Sequence, residues 1–348
     1  MDFELSDDQV ALRSAARSLL DDLASPARVR AVVDAGGGID DGLWSAMVDQ
    51  GWPGVAVPGS VGGLDLGVVE LALLLEEVGA HVAPAPVLQQ ALALDALVAG
   101  GAPTELVEPL LAGATLGTAA FKPVAESGGR LSGRPEPVVH APSARVLVVR
   151  SEDALWAVDG ISSTAEPAMD RTRALGWVDL DDAVAVRLGG VDAVERFIDL
   201  GALGHAGELL GAASRALDLA VEHAKEREQF GRPIGSFQAV KHRCADMLVD
   251  VEGMRSAVLH AAWTLGAGHP DRSVAASTAK AWCSEAGRRV MAGALQVHGG
   301  IGFTWEHDLH LYVKRAQLDA VSFGDAPWHR TRLAQMLRSK VEAGQALL

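Results

Sequence analysis

The chain is short of cysteine and of basic charge, and it has no long apolar run; each shortage removes a class of function. Two cysteines occur among 348 residues, Cys244 and Cys283. They form no CxxC pair and have no histidine cluster nearby, so both are expected to be buried thiols on helical patterns. Lys and Arg number 30 against 45 Asp and Glu, a formal net charge of −15. That balance argues against a nucleic-acid partner, which requires a basic face. No apolar run reaches membrane-spanning length, and residues 1–23 read as an amphipathic helix without a signal-peptide core. The expectation is a cytoplasmic protein with no membrane span. The paired Glu-x-x-His motifs of a ferritin-like metal site are absent, and no metal is expected.

What is present divides into three stretches, and the chain is long enough to bury a large core in more than one domain. Residues 1–112 are helical in pattern. Ser6 and Gln9 make a capping box, and Val10, Ala16, Leu19, Leu20 and Leu23 form one apolar stripe. A helix through Leu43, Trp44, Met47 and Val48 ends at Gly51, ahead of a Pro- and Gly-rich loop that closes with Gly62-Gly63. The next helix carries Leu71, Leu74, Leu75 and Val78, and its Glu76-Glu77 pair reads as a solvated face. From about residue 113 to 198 the period changes. Thr118–Phe121, Arg145–Val149, Ala154–Val158 and Ala183–Leu188 are short runs bounded by Gly, Pro and Asp, as strands are.

Residues 199–348 return to helices. Leu209, Leu210, Ala213, Leu217, Ala220 and Ala224 line one; Val240, Cys244, Met247, Leu248, Val251, Met254 and Val258 the next. A third runs through Val274, Thr278, Ala281, Trp282, Val290 and Leu295, and two more follow Gly302, enough for a bundle. The third helix breaks at His298-Gly299-Gly300 before a helix with Leu309, Tyr312, Val313, Ala316 and Ala320 on one face. Glycines at a helix junction let a phosphate, ribose or base approach main-chain N–H groups. They also serve as a plain helix C-cap and turn. The fold class expected is α+β, with a small β domain between two helical ones.

A second stretch narrows the choice. Arg227-Glu-Gln-Phe-Gly precedes Gln238, eleven residues after Arg227, and Gln296 is followed, after two intervening residues, by Gly299-Gly300. Arg227, Phe230, Gly231, Gln238, Gln296, Gly299 and Gly300 together resemble the acyl-CoA dehydrogenase family closely. The N-terminal order of helix, GW loop, GG and helix is also similar to that family, as is Asp170-Arg171-Thr172-Arg173 near the end of the β stretch.

The resemblance implies an acyl-CoA substrate, FAD as cofactor and electron-transfer flavoprotein as electron acceptor. A carboxylate removes the α-proton of the thioester while FAD takes a hydride from the β-carbon. Arg227, Phe230, Gln238, Gln296, Val297, His298, Gly299 and Gly300 are the implied cofactor contacts, with Gly324 an implied substrate contact. In the family the base is a Glu at one of two positions. Ungapped counting puts them at Phe323, before Gly324, and at Gly201, twenty-six residues before Arg227 and next to Ala202. Neither holds a carboxylate. Asp325 is a displaced candidate base; Glu208 and Glu222 read as surface groups, and His298 as a possible base or a packing residue.

The β stretch departs from the family as well. Ala119–Ser127 lacks the Thr-Glu-Pro and Gly-Ser-Asp segments. If Ser132-Gly133 is the family's Asn-Gly turn, Pro137 takes the aromatic position and Val139 the hydroxyl that bonds the flavin. Valine cannot donate that bond. In the family each FAD lies between subunits, with one chain giving the β domain and base and its neighbour the Arg, Gln and Gly-Gly contacts. This chain resembles the second contributor, the shortened subunit of heteromeric members acting on bulky or steroid side-chain thioesters. The implied partner is a full-length subunit in a heterotetramer. A self-sufficient homo-oligomeric dehydrogenase or oxidase with a displaced base, and a non-enzymatic protein that keeps the fold, remain alternatives.

Overall fold

The computed structural model describes residues 4–345. Helices come first: α1 (Asp7–Leu23), α2 (Pro26–Asp34), α3 (Asp41–Asp49), α4 (Val68–Ala80), α5 (Val87–Ala99) and α6 (Thr104–Leu111). Strands follow: β1 (Gly117–Ala120), β2 (Ala125–Ser127), β3 (Arg130–Gly133), β4 (Val138–Val139), β5 (Val146–Arg150), β6 (Leu155–Asp159), β7 (Thr164–Glu166), β8 (Leu175–Trp177), β9 (Leu180–Val184) and β10 (Val186–Gly189). The remainder is helical: α7 (Val191–Glu226), a ribbon of β11 (Glu228–Gln229) and β12 (Arg232–Pro233), then α8 (Gln238–Gly266), α9 (Arg272–His298), α10 (Leu309–Val321) and α11 (Ala326–Glu342). The fold is therefore α+β, with a small β region between helical stretches. Among the described residues no helix is long and apolar enough to cross a membrane. Residues 1–3 of the expected N-terminal helix and 346–348 of the last stretch lie outside the described residues.

The described chain forms two compact units. One consists of Ser6–Leu74 and Ala83–Gly201. The other consists of residues 4–5, Leu75–Val82 and the described residues from Ala202 onward.

In the first unit, α1 opens on the capping box. Gln9 N–H donates to Ser6 Oγ at 3.2 Å, and Ser6 N–H donates to Gln9 Oε1 at 3.0 Å. Val10 is exposed rather than part of the stripe, which buries Ala16 and Leu20. Six residues do not close a turn of about 3.6, so Val10 falls well off the face of Ala16. The strands form a four-stranded sheet ordered β1-β5-β6-β10 and two three-stranded sheets, β2-β3-β9 and β4-β8-β7. Only β1 and β5 run parallel. Leu131, Val138, Leu147, Val149, Trp156 and Leu180 pack as their core.

Ser132 and Gly133 belong to strand β3, not to a turn. The hairpin turns four residues earlier at Gly128-Gly129, both at positive φ, because the tight two-residue hairpin needs that conformation twice. Arg173 is buried and donates to the carbonyls of Ala83 and Ala85 at 3.0 and 2.9 Å, while Asp170 accepts from Thr172 N and Oγ1. The Asp-Arg-Thr-Arg segment is thus a structural clasp. Gln90 joins α5 to the sheet, donating to Leu110 O and accepting from Gly117 N–H.

The second unit contains a close helix crossing. A Cβ at Gly211 of α7 would lie 1.8 Å from Glu76 O on α4, and one at Gly79 1.9 Å from Glu208 O. Backbones this close bring acidic side chains inside. Glu76, expected at a solvated face, is buried beside the guanidinium of Arg255 on α8, and Glu77 is buried too. Glu208, expected at the surface, is 1% exposed and faces Arg315 of α10, itself 0% exposed, at 3.4 Å. Burial of either charge alone is costly, and pairing offsets it. Glu222 is exposed as expected. Cys283 is buried, but Cys244 only partly so, and Leu248 and Trp282 are exposed rather than part of the α8 and α9 stripes.

Candidate functional site

The two sequence segments that carry the implied cofactor contacts meet through a pair of stacked histidines. Helix α7 ends at Glu226, with Arg227 N–H donating to His223 O at 2.9 Å. The chain turns at Phe230 and Gly231, both at positive φ, and returns so that Ile234 N–H donates to Arg227 O at 2.8 Å. Gln238 then opens α8. At the end of α9, Gly299 takes φ 63° and ψ −142°, a conformation open essentially to glycine alone, and its N–H donates to Leu295 O. The His298 ring stacks on His223 with centroids 4.7 Å apart and meets His307 edge-on at 4.4 Å.

His298 has a defined tautomer. Its Nδ1 lies 2.8 Å from Ala294 O, and a carbonyl only accepts, so Nδ1 carries the proton. Its Nε2 has no hydrogen-bond partner among the described residues, although the residue is only 5% exposed. His223 titrates below its ordinary value, first through burial and then through His298 and Arg227 nearby.

Around this seam the polar groups face outward. Arg227, Gln238, Gln296, Gly299 and Gly300 are exposed, whereas Val297 is buried. Nothing stands within 4 Å of a Cβ placed on Gly299 or Gly300. Phe230 is 92% exposed, with its ring edge toward Phe237, over which the Arg232 guanidinium lies at 4.2 Å. Phe303 and Trp305 are exposed as well.

The loop between α10 and α11 holds Phe323, one of the two positions at which the resemblance implies a base. Phe323 is buried at φ 53°, with its ring centroid 5.6 Å from that of His205. Its carbonyl accepts from His329 Nε2 at 2.9 Å. Burial pushes His329 down to about 3, so it is neutral. Gly324 sits at φ 90°, where a Cβ would meet Trp328 at 2.7 Å. Asp325, the displaced candidate base, is the N-cap of α11 and accepts from Trp328 N–H at 2.9 Å.

Lys280 of α9, which sequence reasoning missed, is fully buried beneath this loop. It donates to Gly324 O at 2.9 Å, Ala320 O at 3.0 Å and Ser284 Oγ at 3.2 Å. Burial lowers it to about 8, against the pull of Asp319. Asp319 accepts from His205 Nδ1 at 3.0 Å. The signal for Lys280 was a lone cation in the alanine-rich run Ala275–Ala281.

In the other unit, Gly201 is an interior, buried residue of α7. In the β region the N–H groups of Phe121 and Lys122 donate to the two oxygens of Glu136, at 2.6 and 2.8 Å. Val139 lies on β4 and its carbonyl accepts from Thr118 Oγ1 at 2.5 Å.

The chain belongs to the acyl-CoA dehydrogenase family. Residues 6–106 match the model of the family's N-terminal domain and residues 189–338 that of its C-terminal domain. It is 37% identical, over 92% of its length and 96% of the relative's, to "Acyl-CoA dehydrogenase IpdE2" of Mycolicibacterium smegmatis. Among solved structures it is similar to the ChsE4-ChsE5 complex from Mycobacterium tuberculosis, with TM-score 0.90 and 30% identity over 97% of this chain and 99% of that one. It is likewise similar to a Tcur3481-Tcur3483 steroid acyl-CoA dehydrogenase variant, with TM-score 0.89 and 31% identity, again over 97% of this chain and 99% of the other.

Proposed function

We propose that this chain is the shortened subunit of a heteromeric, FAD-dependent acyl-CoA dehydrogenase. It supplies the pyrophosphate and adenosine contacts to a flavin whose ring and catalytic glutamate belong to a full-length partner subunit. The observation that carries this reading is a division within one chain. Arg227, Gln238, Gln296, Gly299 and Gly300 are exposed, while the two positions at which the resemblance implies glutamate hold Phe323 and Gly201.

The exposed set suits a dinucleotide. The Arg227 guanidinium makes no ion pair among the described residues, and its planar fork matches two phosphate oxygens. The amides of Gln238 and Gln296 are likewise without partners among the described residues, and each offers both a donor and an acceptor. The open turn at Gly299 and Gly300 admits close approach to main-chain N–H groups. The chain's own β region is less suited, because Glu136 already takes two successive N–H groups.

When bound, FAD accepts the hydride from the β-carbon of the acyl thioester. This chain's part is to hold the cofactor and to shield it from water with Phe230 and its neighbours. The two-component assemblies among the similar structures support the heteromer, and the steroid dehydrogenase among them supports a bulky CoA thioester as substrate. A cytoplasmic heterotetramer delivering electrons to an electron-transfer flavoprotein completes the reading.

The test is co-expression with a full-length dehydrogenase subunit from the same genome. The chain alone is expected to purify colourless, and the complex yellow and active. Arg227→Ala in the complex is expected to lower flavin retention at least tenfold at equal assembly. Unchanged flavin and turnover in that variant would overturn the assignment; a stoichiometrically yellow, active chain on its own would do the same.

A further inference from the structure

Within the unit formed by Ser6–Leu74 and Ala83–Gly201, a cavity of about 180 Å³ lies among α5, the first turns of α7 and the loop Pro53–Pro58. Val55, Val57, Leu71 and Leu200 wall it, and Ala91 and Ala99 on α5 keep it open. Ala91, Asp95 and Ala99 are spaced by four, as are Arg196 and Leu200, so each helix turns one stripe to the space. Its only charged lining residues among those described are Asp95 and Arg196.

These two form a bidentate pair. Arg196 Nε donates to Asp95 Oδ2 at 3.0 Å and Nη2 to Asp95 Oδ1 at 2.6 Å. Arg196 lines the cavity with its side chain 35% exposed, and its Nη1, with two N–H donors, has no partner among the described residues. A second carboxylate, Asp199, acts on the same guanidinium from the same helix. The charge of Arg196 is thus already matched, and an incoming anion would meet two carboxylates around one cation.

We propose that this cavity binds a neutral, ring-sized apolar group carrying a carbonyl oxygen: a cyclic ketone with its ring against the aliphatic walls and its oxygen accepting from Arg196 Nη1. The size follows from known apolar cavities, where about 150 Å³ holds one six-membered aromatic ring. A few convergent polar groups in an apolar pocket are the usual means of orienting a small ligand. The proposal goes beyond the shared-cofactor reading and does not depend on it, since it rests on this unit alone and requires no flavin.

The experiment uses the full chain and two probes, cyclohexanone and methylcyclohexane, with binding followed by saturation-transfer NMR and titration. Cyclohexanone is expected to bind saturably and about tenfold more tightly than methylcyclohexane, the value of one added hydrogen bond. Ala99→Phe should abolish binding of both, and Ala91→Leu is the second occlusion should the first fail to fold. The double variant Asp95→Leu/Arg196→Met should bring the two affinities within about twofold while keeping the fold by circular dichroism. Competition by 4-oxocyclohexanecarbonyl-CoA, with free coenzyme A as control, separates a ring on a thioester from a free ketone; either result upholds the site. The proposal is overturned by absence of saturable cyclohexanone binding, by equal affinities in the parent chain, or by full binding in the occluded variants.

Discussion

The Lys280 ammonium and the Gly324 carbonyl lie 2.9 Å apart, in hydrogen-bond contact within a fully buried site. The same ammonium reaches Ala320 O and Ser284 Oγ, so α9 holds both the end of α10 and the loop that follows it. His329 fixes the next carbonyl back, that of Phe323. The loop between α10 and α11 is thus held in place by hydrogen bonds from both α9 and α11.

Lys280 makes stability depend on pH in a defined window. Its value falls from the ordinary 10.5 to about 8 in the folded chain because burial disfavours the charged form. Below the lower value it is protonated in both states, and its burial is fully unfavourable. Between about 8 and 10.5 the unfolded chain holds the proton and the folded chain does not, so stability rises with pH. The slope from this one group is at most about 1.4 kcal/mol per pH unit. Urea unfolding of the parent and of Lys280→Met at pH 7, 9 and 10 tests it. The parent should gain on the variant across that range, and parallel profiles would remove the charge from the account.

Gly211 and Gly231 separate steric need from conformational need. A Cβ at Gly211 would fall 1.8 Å from the backbone oxygen of Glu76, and neither helix can yield without moving the other. Gly211→Ala is expected to cost about 4 kcal/mol or more, the severe end of single substitutions. Gly231 has φ 75° and open space around it, so Gly231→Ala should cost only the left-handed preference, about 1–2 kcal/mol. Thermal melts of both variants give the comparison.

Local signals were readable in the sequence, and long-range pairing was not. The Ser6–Gln9 box depends on two residues three apart, and it forms as expected. The change from helices to strands after α6 followed from the period of the apolar residues and from the Gly and Pro punctuation. Glu76 and Glu208 look like solvent-facing acids in any window around them, because their partners Arg255 and Arg315 stand 179 and 107 residues away. Lys280 bonds two carbonyls forty or more residues further on, which no helical periodicity encodes. The Arg227 and Gln296 segments were visible as a spaced motif, but the His223–His298 stack between them was not.

Gly300 offers a test of ligand approach with little structural background. It has no positive φ, and a Cβ there would meet nothing within 4 Å. Gly300→Ala should therefore leave the melting of the isolated chain within about 0.5 kcal/mol of the parent. In the complex with a full-length subunit, flavin retention should nevertheless fall, because the added methyl stands in the open space beside the turn. A variant that melts normally and retains flavin normally would place the cofactor elsewhere.

Asp325 is where a helix cap and a displaced base make opposite demands. As N-cap of α11 it accepts from Trp328 N–H at 2.9 Å, a role that needs a side-chain oxygen but no charge. Asparagine retains that acceptor, so Asp325→Asn should change stability by only a few tenths of a kcal/mol, whereas Asp325→Ala should cost about 1 kcal/mol. A base needs the ionised carboxylate, and asparagine cannot take the α-proton. If the cap is its role, the complex carrying Asp325→Asn keeps its acyl-CoA oxidation rate, and Asp325→Ala loses activity only in step with its melting temperature. A loss of two or more orders of magnitude in Asp325→Asn, with the melt unchanged, would instead make this carboxylate the proton acceptor and the chain catalytic in its own right.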